Sequence, residues 1–276
     1  MMDGVNIPKI LHLYWGRNKK LSYMKYLTAK SFSALNPEWK IKVYFPDVIS
    51  DACGWTGFEQ KSYEYEGIDY FDFLDGIKNV EVIKFDFSVW ELPENISEVH
   101  KSDLLRLYIL SSVGGVWSDF DIFFLKPIKD LKLKYQESQS KTGVCFNYGY
   151  HSIGFLFSTP GNAVWKNLFD IALKIAKTYS LQYQTLGTGL YHKYFEQIIK
   201  SDDIINMPFI SVYPFQWNQI DDMLGNHNYG LFEKTIGIHW FAGSNKVSKY
   251  ENIITKDNLK YYKDIFLLKL MGEFCE

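Results

Sequence analysis

Cysteine is scarce in this chain, and long uninterrupted apolar runs are missing. Cys53, Cys145 and Cys275 are the three cysteines among 276 residues, and they form neither a C-x-x-C pair nor a metal-ligand spacing. Their scatter and odd number make a reducing compartment, the bacterial or host cytoplasm, the expectation. The opening residues MMDGVNIPKILHLYWG put an acid before a short apolar run that Gly16-Arg17-Asn18-Lys19-Lys20 closes, so they read as neither a signal peptide nor a membrane anchor. Charge of one sign is lacking too. A formal net charge of −2 supplies no basic field for nucleic acid, which is not an expected partner. No repeat, low-complexity tract or linker rich in Pro, Gly or Ser cuts the chain, so one domain over 1–276 is expected, long enough to bury a core without staples.

Aromatic residues are plentiful at 18%, enough to leave some for stacking on sugar rings or a base once a Tyr-rich core is filled. The densest stretch is KSDLLRLYILSSVGGVWSDFDIFFLKP, residues 101–127. Leu104, Leu105, Leu107, Tyr108 and Leu110 give a broad apolar face at helical period, with Asp103 and Arg106 as an i,i+3 pair on its polar edge. Gly114-Gly115 stops that helix, and Val116-Trp117 start a strand expected to run through Asp119-Phe120-Asp121 to Leu125. Residues i and i+2 of a strand share a face, so Asp119 and Asp121 should point the same way. Two like charges side by side in a sheet core are costly, and a divalent cation carrying a phosphorylated ligand would compensate them. The alternative is a solvated strand end.

Ser102-Asp103, Arg106, Gly114-Gly115 and Asp119-Phe120-Asp121 together resemble the S-D-x-x-R, G-G, D-x-D signature of glycosyltransferases with the D-x-D sugar-binding region. That family includes initiating mannosyltransferases, lactosylceramide galactosyltransferases and capsule enzymes, and the core of the clostridial glucosylating toxins is similar. The resemblance implies an α/β GT-A fold: a Rossmann-like nucleotide-binding sheet flanked by helices, in residues 1–127, followed by an acceptor-side portion in 128–276. It also implies manganese or magnesium, a nucleotide-sugar donor, contacts to the nucleotide base from the end of the first strand and a retaining outcome.

Along the chain, Ile10 to Gly16 suits a first, fully covered parallel strand, and Ile7-Pro8-Lys9 with His12 and Trp15 matches the family's opening. Tyr14 or Trp15 would stack on the base, or both would simply close the sheet edge. Ser22 to Leu35 reads as a helix, Trp39 to Phe45 as the second strand and Asn79 to Phe85 as the third, with Ser97 as N-cap of the next helix. Val48 to Gly76 reads as an irregular insertion and Ile128 to Thr142 as a charged connection. Gly143 to Tyr148 and Ser152 to Ser158 are expected strands around a turn at 149–151, and a helix is expected from Thr159-Pro160-Gly161 to Lys177. Thr185 to Leu190 is similar to a family T-G-P segment beside the donor sugar but lacks the proline, and a loop capping a helix over Leu190 to Ile199 explains it equally well.

Pro208 to Tyr213 reads as a short strand and Phe215 to Asn228 as an aromatic, polar loop. Gly237 to Lys246 resembles the family's late H-x-x-x-x-S motif, in which His239 would join Asp119 and Asp121 as a metal ligand; a core histidine is the other reading. Lys256 to Phe274 is amphipathic, to cover the core or to touch a membrane surface peripherally.

By the resemblance, Asp119, Asp121, Arg106 and Asp103 carry the chemistry. Asp121 and His239 hold the metal, Asp119 contacts ribose or sugar hydroxyls with some metal contact, and Asp103 and Arg106 hold sugar hydroxyls and the phosphate side. Otherwise the last two are a helix-surface ion pair. Nucleotide-sugar contacts are implied at Tyr14, Trp15, Gly16, Ser118, Asp119, Phe120, Ser244, Asn245 and Lys246. Asp221 and Asp222 are candidates for a base or an acceptor contact. The implied activity is hexosyl transfer from a UDP- or GDP-linked donor to a glycan, polysaccharide or protein; a nucleotide-sugar hydrolase and a non-catalytic carbohydrate-binding protein are the alternatives.

Overall fold

The computed structural model describes residues 7–52, 65–131, 141–147, 149–194, 204–226 and 233–275. Residues 53–64 of the 48–76 insertion, Cys53 included, most of the 128–142 connection and the expected helix beyond Tyr194 lie outside the described residues.

Strand β1 (Ile10–Tyr14) leads into helix α1 (Tyr23–Leu35), strand β2 (Lys40–Pro46) and strand β3 (Val80–Phe85). Ser22 starts α1 as an N-cap whose hydroxyl accepts from the Lys25 amide, and Ser97 does the same for α2 (Glu98–Ser112) through His100. Then come β4 (Gly115–Ser118), β5 (Ile122–Phe124), β6 (Thr142–Asn147), β7 (Tyr150–Ser158), α3 (Ala163–Thr178), α4 (Thr188–Tyr194) and β8 (Ile204–Asn206). The chain ends in α5 (Ile220–Met223), β9 (Gly237–His239), α6 (Asn245–Ile253) and α7 (Phe266–Cys275).

Seven strands form the central sheet in the order β3-β2-β1-β4-β7-β6-β8, so both halves of the chain contribute to it. β1 pairs in parallel with β2 and with β4, β2 in parallel with β3, and β7 runs antiparallel to β4. Helices cover both faces, and alternate residues of one strand therefore enter opposite cores. Val116 packs on the α1 side, with Leu11 and Val43, while Trp117 packs on the α2 side, with Tyr14, Tyr44 and Leu156.

Gly114 and Gly115 let β4 slide between β1 and β7. Their φ angles are +68° and +99°, and a Cβ on Gly114 would stand 2.6 Å from the Pro160 nitrogen, one on Gly115 2.7 Å from the Ile10 carbonyl. His12, fully buried in β1, ties this turn down, its Nε2 donating to the Gly114 carbonyl at 2.9 Å while Tyr44 lies 3.1 Å from Nδ1. Burial drops the His12 pKa to about 4, so the ring is neutral near pH 7.

Several expectations are corrected. The strand from Val116 to Leu125 is two strands: β4 stops at Ser118, residues 119–121 turn out of the sheet, and β5 pairs instead with β9. The turn between β6 and β7 is shorter than expected, since Tyr150 and His151 belong to β7. Pro208 to Tyr213 forms a 3-10 turn over Phe209–Ser211, and the edge strand is β8, just before Pro208, which has no N–H to give to a ladder. Within 256–274 the helix covers only the end, after a 3-10 turn at Leu259–Tyr261; α7 buries Phe266, Leu267, Leu268 and Met271 in the core. Among the described residues no helix is long and apolar enough to cross a membrane.

Candidate active site

The sheet order reverses direction between β1 and β4, and in open α/β sheets the crevice at the carboxyl ends of such strands is where ligands bind. Asp119, Phe120 and Asp121 leave β4 at this point. Their backbone is pinned on three sides: the Asp119 amide donates to the Gly154 carbonyl at 2.8 Å, Thr28 donates to the Phe120 carbonyl at 2.7 Å, and the Trp240 amide donates to the Asp121 carbonyl at 2.8 Å. Leaving the sheet separates the two carboxylates, which now have different partners rather than one shared strand face.

Asp119 belongs to the α2 side. Its Oδ1 accepts from Arg106 Nη2 at 3.1 Å and from Trp117 Nε1 at 3.0 Å, and the guanidinium lies 5.1 Å from the centre of the Trp117 ring. Arg106 Nη1 is 3.1 Å from Asp103 Oδ1, so one buried cation bridges two acids. The helix-surface reading of this pair is thereby overturned, as both side chains are 5% exposed. Burial raises the Asp103 pKa to about 6, against the pull of Arg106. Burial opposes the charge on Arg106, but Asp119 and Asp103 outweigh it and hold the guanidinium protonated. Asp119 is the one member of this trio with an open face, its side chain being 33% exposed. Asp103 and Arg106 stand behind it, and Gly187 of the 185–190 segment covers Asp103: a Cβ there would lie 3.2 Å from Oδ2.

Asp121 belongs to the β9 side. Its Oδ1 is 3.2 Å from His239 Nε2 and its Oδ2 accepts from the Ala242 amide at 3.0 Å. Burial pushes the Asp121 pKa up, but His239 and the Ala242 amide together bring it below the ordinary carboxylate value. Burial lowers that of His239, and the Asp121 charge more than reverses the effect. Lys25 also acts on Asp121; its ammonium lies 5.5 Å and 5.4 Å from the ring centres of Trp15 and Trp240 and is paired with Glu251 of α6.

This donor set fits a magnesium or manganese ion. Two ligands at right angles on an ion of that size stand about 3 Å apart, as Asp121 and His239 do, and such ions complete their shell with water and substrate phosphate rather than an all-protein cage. Among the described residues no group of three His, Cys, Asp or Glu side chains forms a metal cluster.

The other sequence candidates fall into two groups. Tyr14, Ser118 and Phe120 are buried: the Tyr14 hydroxyl donates to Glu98, and Ser118 donates to the Asp119 carbonyl at 3.0 Å. Gly16 serves packing, since a Cβ there would stand 2.5 Å from Glu98 Cβ. Trp15 is half-buried and edge-on to Phe120, at 5.9 Å. Ser244 caps α6, whose first turn carries Asn245 and Lys246, and Lys246 pairs with Asp221. Sequence reasoning missed Trp117, Lys25, Gly154, Tyr213 and the Ala242 amide. Tyr213 packs on His239 with ring centres 5.1 Å apart, and its buried hydroxyl has no hydrogen-bond partner among the described residues. Burial and the neighbouring acids keep that hydroxyl protonated. Of these five only Trp117 carried a local signal, two residues before Asp119 in the same apolar run.

The fold is of the GT-A type found in glycosyltransferases, and comparison with known proteins agrees. Residues 24–138 match the family described as glycosyltransferase sugar-binding region containing DXD motif, which spans α1 through the D-x-D turn. The chain thus carries a segment that matches that sugar-binding region. Among solved structures it is similar to the PaToxG glycosyltransferase, at 15% identity and a TM-score of 0.51, over 97% of this chain and 87% of that one. It is also similar to the apo structure of the bifunctional glycosyltransferase WbbM, at 11% identity and a TM-score of 0.51, over 99% of this chain and 50% of that one. At these identities the likeness is one of fold. No curated protein matches the chain by sequence.

Proposed function

We propose that this chain transfers a hexosyl group from a UDP- or GDP-linked sugar to a glycan, polysaccharide or protein acceptor, with retention of anomeric configuration and with manganese or magnesium held by Asp121 and His239. The observation that carries the reading is the 3.2 Å approach of Asp121 and His239 beside the exposed edge of Asp119, at the switch point of the sheet.

When bound there, the ion acts as a Lewis acid for the charge that develops on the departing diphosphate. Asp121 and His239 hold it, and the Ala242 amide fixes the orientation of the Asp121 carboxylate. Asp119 presents its outer oxygen to ribose or sugar hydroxyls, while Arg106 and Trp117 lock the inner one. Trp15 and Gly16, at the end of β1, border the nucleotide, and Ser244, Asn245 and Lys246 the diphosphate. Retention rests on the resemblance of the D-x-D region, in which the leaving phosphate takes the acceptor proton.

A thermal-shift screen of UDP, GDP and CMP, each with and without manganese, tests this. A ligand that binds only the folded state raises the melting temperature, so manganese-dependent stabilisation by UDP or GDP is expected, followed by turnover of the matching sugar donor. Stabilisation by free glycan in EDTA, with no nucleotide response, would instead favour a carbohydrate-binding protein.

A further inference from the structure

Tyr213 carries a hydroxyl that packing alone does not explain. The residue is buried, yet among the described residues its hydroxyl has no hydrogen-bond partner. A buried polar atom left unpaired costs stability, and phenylalanine would fill the same space without that cost. We infer that Tyr213 is a positioning residue of the active site: when metal and donor are bound, its hydroxyl donates to the outer carboxylate oxygen of Asp119, Oδ2, and fixes the direction in which that oxygen meets the donor. The inference rests on the glycosyltransferase reading and adds to it a residue that no sequence motif marks.

The ring is clamped in place. It stacks on Phe209 at 5.0 Å and 26°, it lies 5.1 Å from the His239 ring, and the Tyr213 amide donates to the Phe209 carbonyl at 2.9 Å. One residue earlier, the Val212 carbonyl accepts from the His239 amide at 2.7 Å, so the tyrosine is fastened to the strand that carries the proposed metal ligand. Held in this way the hydroxyl has little freedom to reach for a partner, and the partner must come to it.

Gly154 of β7 shows which partner that is. A Cβ on this glycine would stand 3.1 Å from the Tyr213 hydroxyl and 2.9 Å from Asp119 Oδ2, so the two oxygens converge on one spot that only glycine leaves open. The other acid is already engaged, Asp121 Oδ1 by His239 and Oδ2 by the Ala242 amide. Among the described residues the hydrogen bonds to Asp119 go to Oδ1, from Arg106 and Trp117. A small swing of the carboxylate about that anchored oxygen closes the gap, and hydrogen bonds of this kind commonly tighten only in the substrate complex. A carboxylate oxygen has two lone pairs, so Oδ2 can take the tyrosine hydroxyl on one and a ribose or sugar hydroxyl on the other.

The test compares the wild-type chain with Tyr213→Phe, Gly154→Ala and the double variant, using the nucleotide and sugar donor that the manganese-dependent thermal-shift screen identifies. Tyr213→Phe keeps the ring, so it is expected to leave the melting temperature of the free chain unchanged or to raise it. The same variant should show a smaller manganese-dependent stabilisation by the donor and a donor kcat/KM about tenfold lower, the rate equivalent of one hydrogen bond. An alanine methyl at Gly154 would wedge between the two oxygens, and adding Tyr213→Phe to Gly154→Ala should therefore cost little more. A lower melting temperature for the free Tyr213→Phe chain would assign the hydroxyl to the fold and overturn the inference, as would wild-type donor binding and turnover in that variant. Losses that multiply in the double variant would overturn the partnership with Asp119. No response of the wild-type chain to any nucleotide or donor would sink the transferase reading itself, a different failure from these.

Discussion

His239 Nε2 stands 3.2 Å from Asp121 Oδ1, although Asp121 lies in the turn before β5 and His239 in β9, far apart in the sequence. The pairing of β5 with β9 sets this distance, since Ile122 lies opposite His239 in the ladder. Replacing either partner, as in Asp121→Asn or His239→Ala, should abolish manganese-dependent stabilisation by the nucleotide. Turnover should fall by about two to three orders of magnitude, as expected when several kcal/mol of charge stabilisation are lost. EDTA should reproduce the defect in the wild-type chain and added manganese should reverse it. Full activity in EDTA would dismiss the metal assignment.

Arg106 compensates two buried or half-buried acids at once. Removing one partner of a buried pair strands the other charge, so Arg106→Ala is expected to cost about 3–5 kcal/mol in urea unfolding. Arg106→Lys keeps the charge but cannot reach both Asp103 and Asp119 with a planar fork, and should lose donor turnover more than stability.

Gly154 is a steric test of the Asp119 position. A Cβ there would lie 2.9 Å from Asp119 Oδ2 and 3.1 Å from the Tyr213 hydroxyl, both ends of side chains that can yield. Gly154→Ala should therefore leave the melting temperature near the wild-type value while reducing donor turnover by roughly tenfold or more, as displacement of a positioned group does. An unaffected rate would show that Asp119 tolerates the shift.

Acid stability carries two opposed contributions. His12 and His151 have folded pKa values of about 4, below the ordinary 6.5, so the unfolded chain binds more protons between pH 4 and 6.5. Their share of stability is complete above pH 6.5 and is lost as the pH falls towards 4. For His12 this is about 3 kcal/mol. Asp103 works in the other sense: its folded pKa is raised from 3.8 to about 6, so the folded chain binds the extra proton and gains stability as the pH falls through that window. Asp103→Asn removes this offset. Urea titrations at pH 7 and pH 4.5 should show a steeper acid loss in the variant than in the wild-type chain.

Gly114 and Gly115 have no tolerance for a side chain. Gly114→Ala would combine a left-handed φ of +68° with a Cβ 2.6 Å from rigid backbone, and should destabilise the chain by about 1–3 kcal/mol or prevent its folding. Gly149, also left-handed at φ +81° but with nothing within 4 Å of a Cβ, is the control: Gly149→Ala should cost less.

What the sequence by itself determined is what chain neighbours control. The apolar run of β1, the serine caps of α1 and α2, the stop at Gly114-Gly115 and the i,i+3 pair of Asp103 and Arg106 all follow from periodicity and capping within a turn or two of chain. His239 was marked only through a family resemblance, since a single histidine in an apolar segment carries no ligand signal of its own. Tertiary structure decided the rest. Periodicity could not show that the strand breaks at Asp119, because residues 116–125 are apolar enough for one continuous strand. The break follows from partners elsewhere: Arg106 and Trp117 take one acid, while His239 and the Ala242 amide take the other. For the same reason Tyr213, Gly154 and Lys25 were invisible, as their proximity to the acids arises from strand order and helix docking, which bring together residues that share no local pattern.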